Sequence, residues 1–297
     1  MTDSTNLTID PPAADITKGP PLPPEFRHLL RTGRLNQEQL DKIETWRLEH
    51  RCSFAEAALA LGHITEADLA GALAAEFRYP IIHQGSLLET AGREVVVAHD
   101  PFGPAAEAIR DLRSALIHKW MGLGLRSIAL VGAERRTGCT YVAANLSLAM
   151  AQAGFSTCLV EANLRHPRLA EVYNLPGRRI GVADVLAGQA SLGDAVYKVL
   201  HNLTVIPAGT KPPNPQELLS GREFTALMAT LEREFEAVIV DTPAGMESAD
   251  ALVVGARARA CLLVVRQHRT AYGDVQHLSR KLQETGCVMV GSLLNRF

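Results

Sequence analysis

The sequence predicts an α/β fold, a mostly parallel sheet flanked by helices, preceded by a small all-helical domain. Three observations lead there. Six short apolar runs alternate with helical patterns over the last two thirds of the chain, a glycine-containing turn follows the first of them, and residues before position 80 carry a helical repeat. The chain has 297 residues, 47% hydrophobic and 21% charged, which suits one or two globular domains with a sizeable core. A formal net charge of -2 gives no broad electrostatic attraction for nucleic acid, and no nucleic-acid partner is expected. Cys52, Cys139, Cys158, Cys261 and Cys287 are scattered without a C-x-x-C pair, so reduced, buried thiols in a cytoplasmic protein are expected, with no zinc site. No apolar run approaches the roughly 20 residues needed to span a bilayer, so any recruitment to the inner membrane would go through a partner.

The elements follow in order. Residues 1–24 are rich in Pro, Asp and Thr, with too little apolar surface to offset ordering entropy, and are expected to be a disordered leader. Residues 25–80 repeat themselves. LLRTGRLNQEQL (29–40) and ALALGHITEADL (58–69) align Gly33 with Gly62, Leu35 with Ile64 and Leu40 with Leu69. In each copy one helix ends at the glycine and the next begins after a capping side chain, Asn36 or Thr65, giving an all-helical domain of two similar helix pairs. Residues 81–103 have a mixed pattern closing in DPFGP and are expected to be a linker. The second domain, 104–297, opens with the amphipathic helix PAAEAIRDLRSALIHKW and continues through the runs SIALV, TCLVEAN, LTVIPAG, AVIVDTP, CLLVVRQ and VMVGSLLN. Continuous apolar runs of this length, separated by helices, are buried parallel strands.

Ligands of such sheets sit beyond the carboxyl ends of the strands, which makes the polar residues closing these runs the candidate site. VGAERRTGCTYVAAN supplies a strand, a turn and a helix, the context of a phosphate-binding loop, with Ala133, Arg135, Arg136, Thr137, Gly138, Cys139, Thr140 and Tyr141 as candidate nucleotide contacts. The loop pattern asks for lysine before the hydroxyl residue, and Cys139 stands there. AVIVDTP feeds Asp241 from four apolar residues, as a strand-end carboxylate that holds Mg²⁺ beside phosphates does. Thr140 keeps the hydroxyl that would ligate the metal. Among ten histidines no zinc spacing occurs, and only His166 falls near this site.

Taken together these segments resemble the bacterial tyrosine kinases of capsule and exopolysaccharide synthesis, a P-loop NTPase family related to MinD and ParA. CLVEANLRHPRL resembles the family's second motif, three apolar residues and then Asp-x-Asp-x-Arg, through Glu161, Asn163 and Arg165. EAIRDLR resembles its E-x-x-R-x-x-R oligomerisation helix through Glu107, Arg110 and Arg113. PAGTKPPNPQELL matches its Pro-Pro-Asn-Pro signature, and the closing VGSLLN resembles the strand whose end, Asn295, lies near adenine. With the N-terminal module, which resembles the MshEN-like domains of secretion ATPases, the chain is similar to the EpsG-type chain-length-determinant kinases. The resemblance implies ATP or ADP with Mg²⁺ as cofactors, Asp241 and Glu161 as catalytic carboxylates, and Thr140, Glu161 and Asp241 at the metal. It further implies a homo-oligomer and a membrane-anchored, Wzz-like chain-length determinant as partner.

The departures shape the functional expectation. A thiol with an ordinary pKa of about 8.5 carries no positive charge and cannot do a lysine's work on phosphate. Asn163 gives up one acidic position of the second motif. The family's tyrosine-rich C-terminal tail has no counterpart before Phe297, and Tyr79, Tyr141, Tyr173, Tyr197 and Tyr272 are dispersed. Cyclic di-GMP, a ligand of related helical modules, is not expected, because the stretches aligned with the binding motif leave few donors for a dianion. The sequence therefore predicts a degenerate kinase acting as a nucleotide-sensing or scaffold partner in chain-length control, with an active autokinase as the alternative and a ParA- or MinD-like positioning ATPase as the weaker one.

Overall fold

A computed structural model describes residues 22–76, 87–177 and 179–296. Residues 1–21 of the expected leader and 77–86, which hold the start of the expected linker, lie outside the described residues. The chain divides into two compact units at 81/82.

In the first unit, α1 (Pro24–Arg31), α2 (Gln37–His50), α3 (Phe54–Ala60) and α4 (Glu66–Glu76) form the repeat read from sequence. Gly33 and Gly62 take φ of +73° and +65°, the left-handed turn that a side chain would disfavour. Asn36 accepts from the Gln39 N–H while Gln39 bonds back to the Asn36 N–H, and Thr65 and Asp68 reproduce the exchange at the second copy. The equivalent Leu35 and Ile64 are both buried, in a core with Phe26, Ile43 and Phe54. Local capping sets the helix starts, and burial of the matched apolar positions closes the unit.

The second unit begins with α5 (Val96–His99) and α6 (Pro104–Lys119), then β1 (Ser127–Gly132), α7 (Cys139–Gln152), β2 (Thr157–Glu161), α8 (Leu169–Val172) and α9 (Val182–Leu186). It continues through β3 (Tyr197–Leu200), β4 (Leu203–Ile206), α10 (Pro215–Ser220), α11 (Arg222–Glu234), β5 (Ala237–Asp241), α12 (Asp250–Ala258), β6 (Ala260–Arg266), α13 (Tyr272–Glu284) and β7 (Val288–Asn295). The strands make one seven-stranded sheet in the order β3-β4-β2-β5-β1-β6-β7, parallel except for β3, which pairs antiparallel with β4. β3 was not among the six runs read from sequence. It is four residues long, and only Val199 of its side chains is fully buried, so its hydrophobic pattern is weak.

Every residue of β1, β2, β4 and β5 is buried, because helices cover both faces of the sheet. The described part of the expected linker differs from that expectation. Leu88, Ala91, Val95, Val97 and Ala98 belong to the core around α6 and α7, and buried Asn145 of α7 fixes the segment. Its side-chain oxygen accepts from the Val97 N–H at 3.0 Å and its amide donates to the Glu94 carbonyl at 2.8 Å. Five apolar residues are too few to show a period, so this packing was hidden from sequence. Among the described residues no helix is long and apolar enough to cross a membrane.

Candidate functional site

β1, β2 and β5 are neighbours and end together, so their C-terminal residues converge on one place. The loop from β1 turns through Arg136, at φ +63°, and Gly138, at φ +100°, into the first turn of α7. Gly132 closes β1 because a Cβ there would stand 2.1 Å from the Thr137 hydroxyl and 3.0 Å from the Cys139 sulfur. The loop therefore folds back tightly on its own strand. Beside it is a cavity of about 720 Å³, whose lining includes Arg136, Thr137, Gly138, Cys139, Thr140 and Tyr141. Backbone N–H groups at the start of a fourteen-residue helix, next to a cavity of this size, suit an anionic ligand.

Asp241 and Thr140 are joined, the hydroxyl donating to Asp241 Oδ2 at 2.7 Å. Asp241 is fully buried and, among the described residues, its other oxygen, Oδ1, has no hydrogen-bond partner. Burial pushes its carboxyl up to about 8; the Thr140 bond opposes this, Glu161 adds to it, and the charge of Arg168 and the Thr242 N–H pull it back. A buried carboxylate oxygen with no partner, beside a hydroxyl at the head of the loop helix, is the donor set expected of a Mg²⁺-nucleotide site. These two residues fit the metal.

Cys139 does not fit the phosphate. The residue is half-buried as a whole, but its thiol packs inward, 3.5 Å from the Thr137 hydroxyl. Burial, reinforced by nearby Asp241, pushes it up to about 12, so it is neutral at physiological pH. The position of the lysine carries no charge of either sign.

Glu161 was expected at the metal and is placed otherwise. Its Oε1 accepts from the Arg168 and Leu169 N–H groups, and its Oε2 from the Ala208 N–H at 2.9 Å. The carboxylate is fully buried, and burial raises it against the pull of those amides. A glutamate one methylene longer than aspartate reaches past the strand end to tie the loops after β2 and β4. Both of its oxygens are engaged by backbone, so in this arrangement it serves as a clamp between the two loops.

The remaining expected contacts divide. Asn163 lines the cavity and accepts from the His166 N–H at 3.1 Å, closing the turn after β2. Arg165 turns away to Asp250, the buried first residue of α12, at 2.7 Å, so it anchors a helix and does not reach the cavity. Asn295 donates to the Thr137 carbonyl at 3.0 Å and braces the loop from β7. Ala133 is buried behind the loop, its carbonyl accepting from the Met246 N–H. Arg135 and Arg136 are exposed at the loop tip. In α6, Arg110 bonds Glu107 within the same helix and also the Pro101 carbonyl, while Arg113 donates to the Ala149 carbonyl in the last turn of α7. The triplet expected to drive assembly makes intrachain contacts here.

The lining residues that the sequence reading did not name as site residues include Glu94, Arg168 and Arg266. Arg168 follows the second motif by three residues and was within its reach. Glu94 lies in the segment read as linker, 74 residues from the arginine it contacts, so nothing local signals it.

This fold, with a loop-helix at β1 and an aspartate at the end of β5, defines a MinD-like P-loop NTPase class. MinD of Pyrococcus horikoshii, solved with Mg-ADP, is 27% identical with a TM-score of 0.52, covering 58% of this chain and 71% of that one. The second unit belongs to the bacterial tyrosine-kinase family. It is similar to the Ralstonia solanacearum tyrosine-protein kinase EpsB, 32% identical over 205 residues, which are 69% of this chain and 27% of that relative. The chain thus spans about a quarter of that protein's length. The chimerical protein CapA2B2 superposes with a TM-score of 0.64 at 28% identity, over 78% of this chain and 99% of that chain. No protein-family model matches the chain.

Proposed function

We propose that this protein is a degenerate member of the tyrosine-kinase family that binds ATP or ADP with Mg²⁺ without transferring phosphate to tyrosine. In this reading it regulates exopolysaccharide chain length as a cytoplasmic scaffold. The observation that carries the reading is the neutral, inward-packed thiol of Cys139 where a phosphate-binding lysine would stand, next to an intact Thr140 and Asp241. The retained cavity and the bare oxygen of Asp241 favour binding; the missing charge disfavours stabilisation of a phosphoryl-transfer transition state, which depends on fixed positive charge. Bound Mg²⁺ would supply charge neutralisation at the phosphates, held by Thr140 and Asp241. Family kinship favours a membrane-anchored, Wzz-like chain-length determinant as the partner, which would bring the protein to the inner membrane. The N-terminal repeat, in this reading an MshEN-like module, would serve as a docking element.

The test is incubation of the purified full chain with radiolabelled ATP and Mg²⁺, alongside calorimetric titration. Binding without tyrosine labelling is the expected result. Labelling that disappears in Asp241→Asn would establish an active autokinase. That second reading is favoured by one observation, the four arginines that line the cavity: Arg135, Arg136, Arg168 and Arg266.

A further inference from the structure

Only some of these arginines are placed to replace the lysine. Arg135 and Arg136 are exposed at the loop tip, and Arg266 donates to the Arg136 carbonyl at 3.1 Å. Arg168 differs. Arg168 lines the cavity together with Cys139, Thr140 and Asn163, and its positive charge is felt by buried Asp241. It is held there by Glu94, with Nη2 2.9 and 3.1 Å from the two carboxylate oxygens.

Both halves of this pair rest on buried polar side chains. The Arg168 N–H is gripped by Glu161, and the Glu94 carbonyl by Asn145 of α7. Gly92, two residues before Glu94, also donates to the Val172 carbonyl at 2.7 Å, which fixes the segment to the end of α8. Two separate anchors therefore hold the carboxylate and the guanidinium in contact with each other at the cavity wall. The side chains of the pair are 53% and 34% exposed, and an ion pair so open to water is weak. Only Nη2 engages the carboxylate, whereas a phosphate group offers the planar guanidinium a two-nitrogen, bidentate contact with more charge.

We propose that Arg168 is the cation that replaces the missing loop lysine, and that Glu94 holds it until the phosphates of a nucleoside triphosphate take the carboxylate's place. This rests on the reading that the native chain binds nucleotide. The Glu161 clamp then has a purpose beyond its own loops, since it positions the backbone that carries Arg168. Glu94 sets the threshold for binding, because an incoming phosphate must displace it.

The experiment is calorimetric titration of the full chain with Mg-ATP, with circular dichroism melting of each variant to establish folding. Arg168→Ala should weaken binding by about 10- to 100-fold, the range for loss of a charge-assisted bond. Arg168→Lys should recover part of that loss. Glu94→Gln should tighten binding, and the gain should vanish in the Arg168→Ala background. In a Cys139→Lys background the effect of Arg168→Ala should shrink to a few-fold, because the lysine makes the arginine redundant. If the native chain binds and Arg168→Ala binds within twofold of it, the inference falls while nucleotide binding stands. Weaker binding by both Glu94→Gln and Arg168→Ala would mark the pair as structural support and also overturn it. Failure of the native chain to bind at all would overturn both the inference and the reading beneath it.

Discussion

Glu161 and Asp241 end adjacent parallel strands in direct register, both are fully buried, and both are acidic, yet they are set up for opposite purposes. Glu161 has its two oxygens served by three backbone N–H groups. Asp241 has one oxygen on Thr140 and one with no partner among the described residues. A satisfied buried carboxylate holds structure together, while an unsatisfied one is costly and implies a ligand. The sequence motif groups the two as one acidic site. Hydrogen-bond bookkeeping separates them.

The largest expected effect breaks the clamp. Glu161→Ala would strand three backbone N–H groups, two of them in buried bonds, and should cost about 3 kcal/mol of stability, measured by denaturant unfolding. A loss below half of that would remove the distinction drawn here. Asp241→Asn should act in the other direction. The folded carboxyl titrates at about 8, above its ordinary 3.8, so its contribution to stability is full below pH 4 and is lost as pH rises through 8. Asparagine does not titrate, so in metal-free buffer the stability of Asp241→Asn relative to the native chain should rise by about 2 kcal/mol between pH 6 and pH 7.5. A pH-independent difference in thermal melts would show that the native carboxyl is not strained by burial.

Cys139→Lys probes the loop helix that follows the third of these strands, β1. Restoring a cation beside the Asp241–Thr140 pair should tighten Mg-ATP binding about tenfold, equivalent to roughly 1.4 kcal/mol. Unchanged affinity would mean that another group already neutralises the phosphates fully. The smallest effect sharpens the comparison from the clamp's side. Glu161→Asp, one methylene shorter, should lose one of the three amide bonds and cost about 1 kcal/mol with nucleotide affinity largely kept. A much larger loss of Mg²⁺-dependent binding than of stability would return Glu161 to the metal site.

Much was legible along the chain because it is encoded locally. The helical repeat follows from Gly33 and Gly62 at left-handed positions and from the caps at Asn36 and Thr65, each a matter of a few neighbouring residues. Six of the seven strands announced themselves as continuous apolar runs, since burial on both faces demands apolar side chains at every position. The phosphate-type loop, the loss of its lysine and the aspartate closing β5 were equally visible as spacing. By itself, then, the sequence determined most of the elements and the class of sheet. The tertiary structure decided which polar groups are spent and which remain available. Glu161, Arg165 and Asn295 are consumed by a backbone clamp, a helix anchor and a loop brace, whereas Glu94 and Arg168 meet across 74 residues. Hydrogen-bond saturation depends on partners distant in the chain, and no local pattern records them.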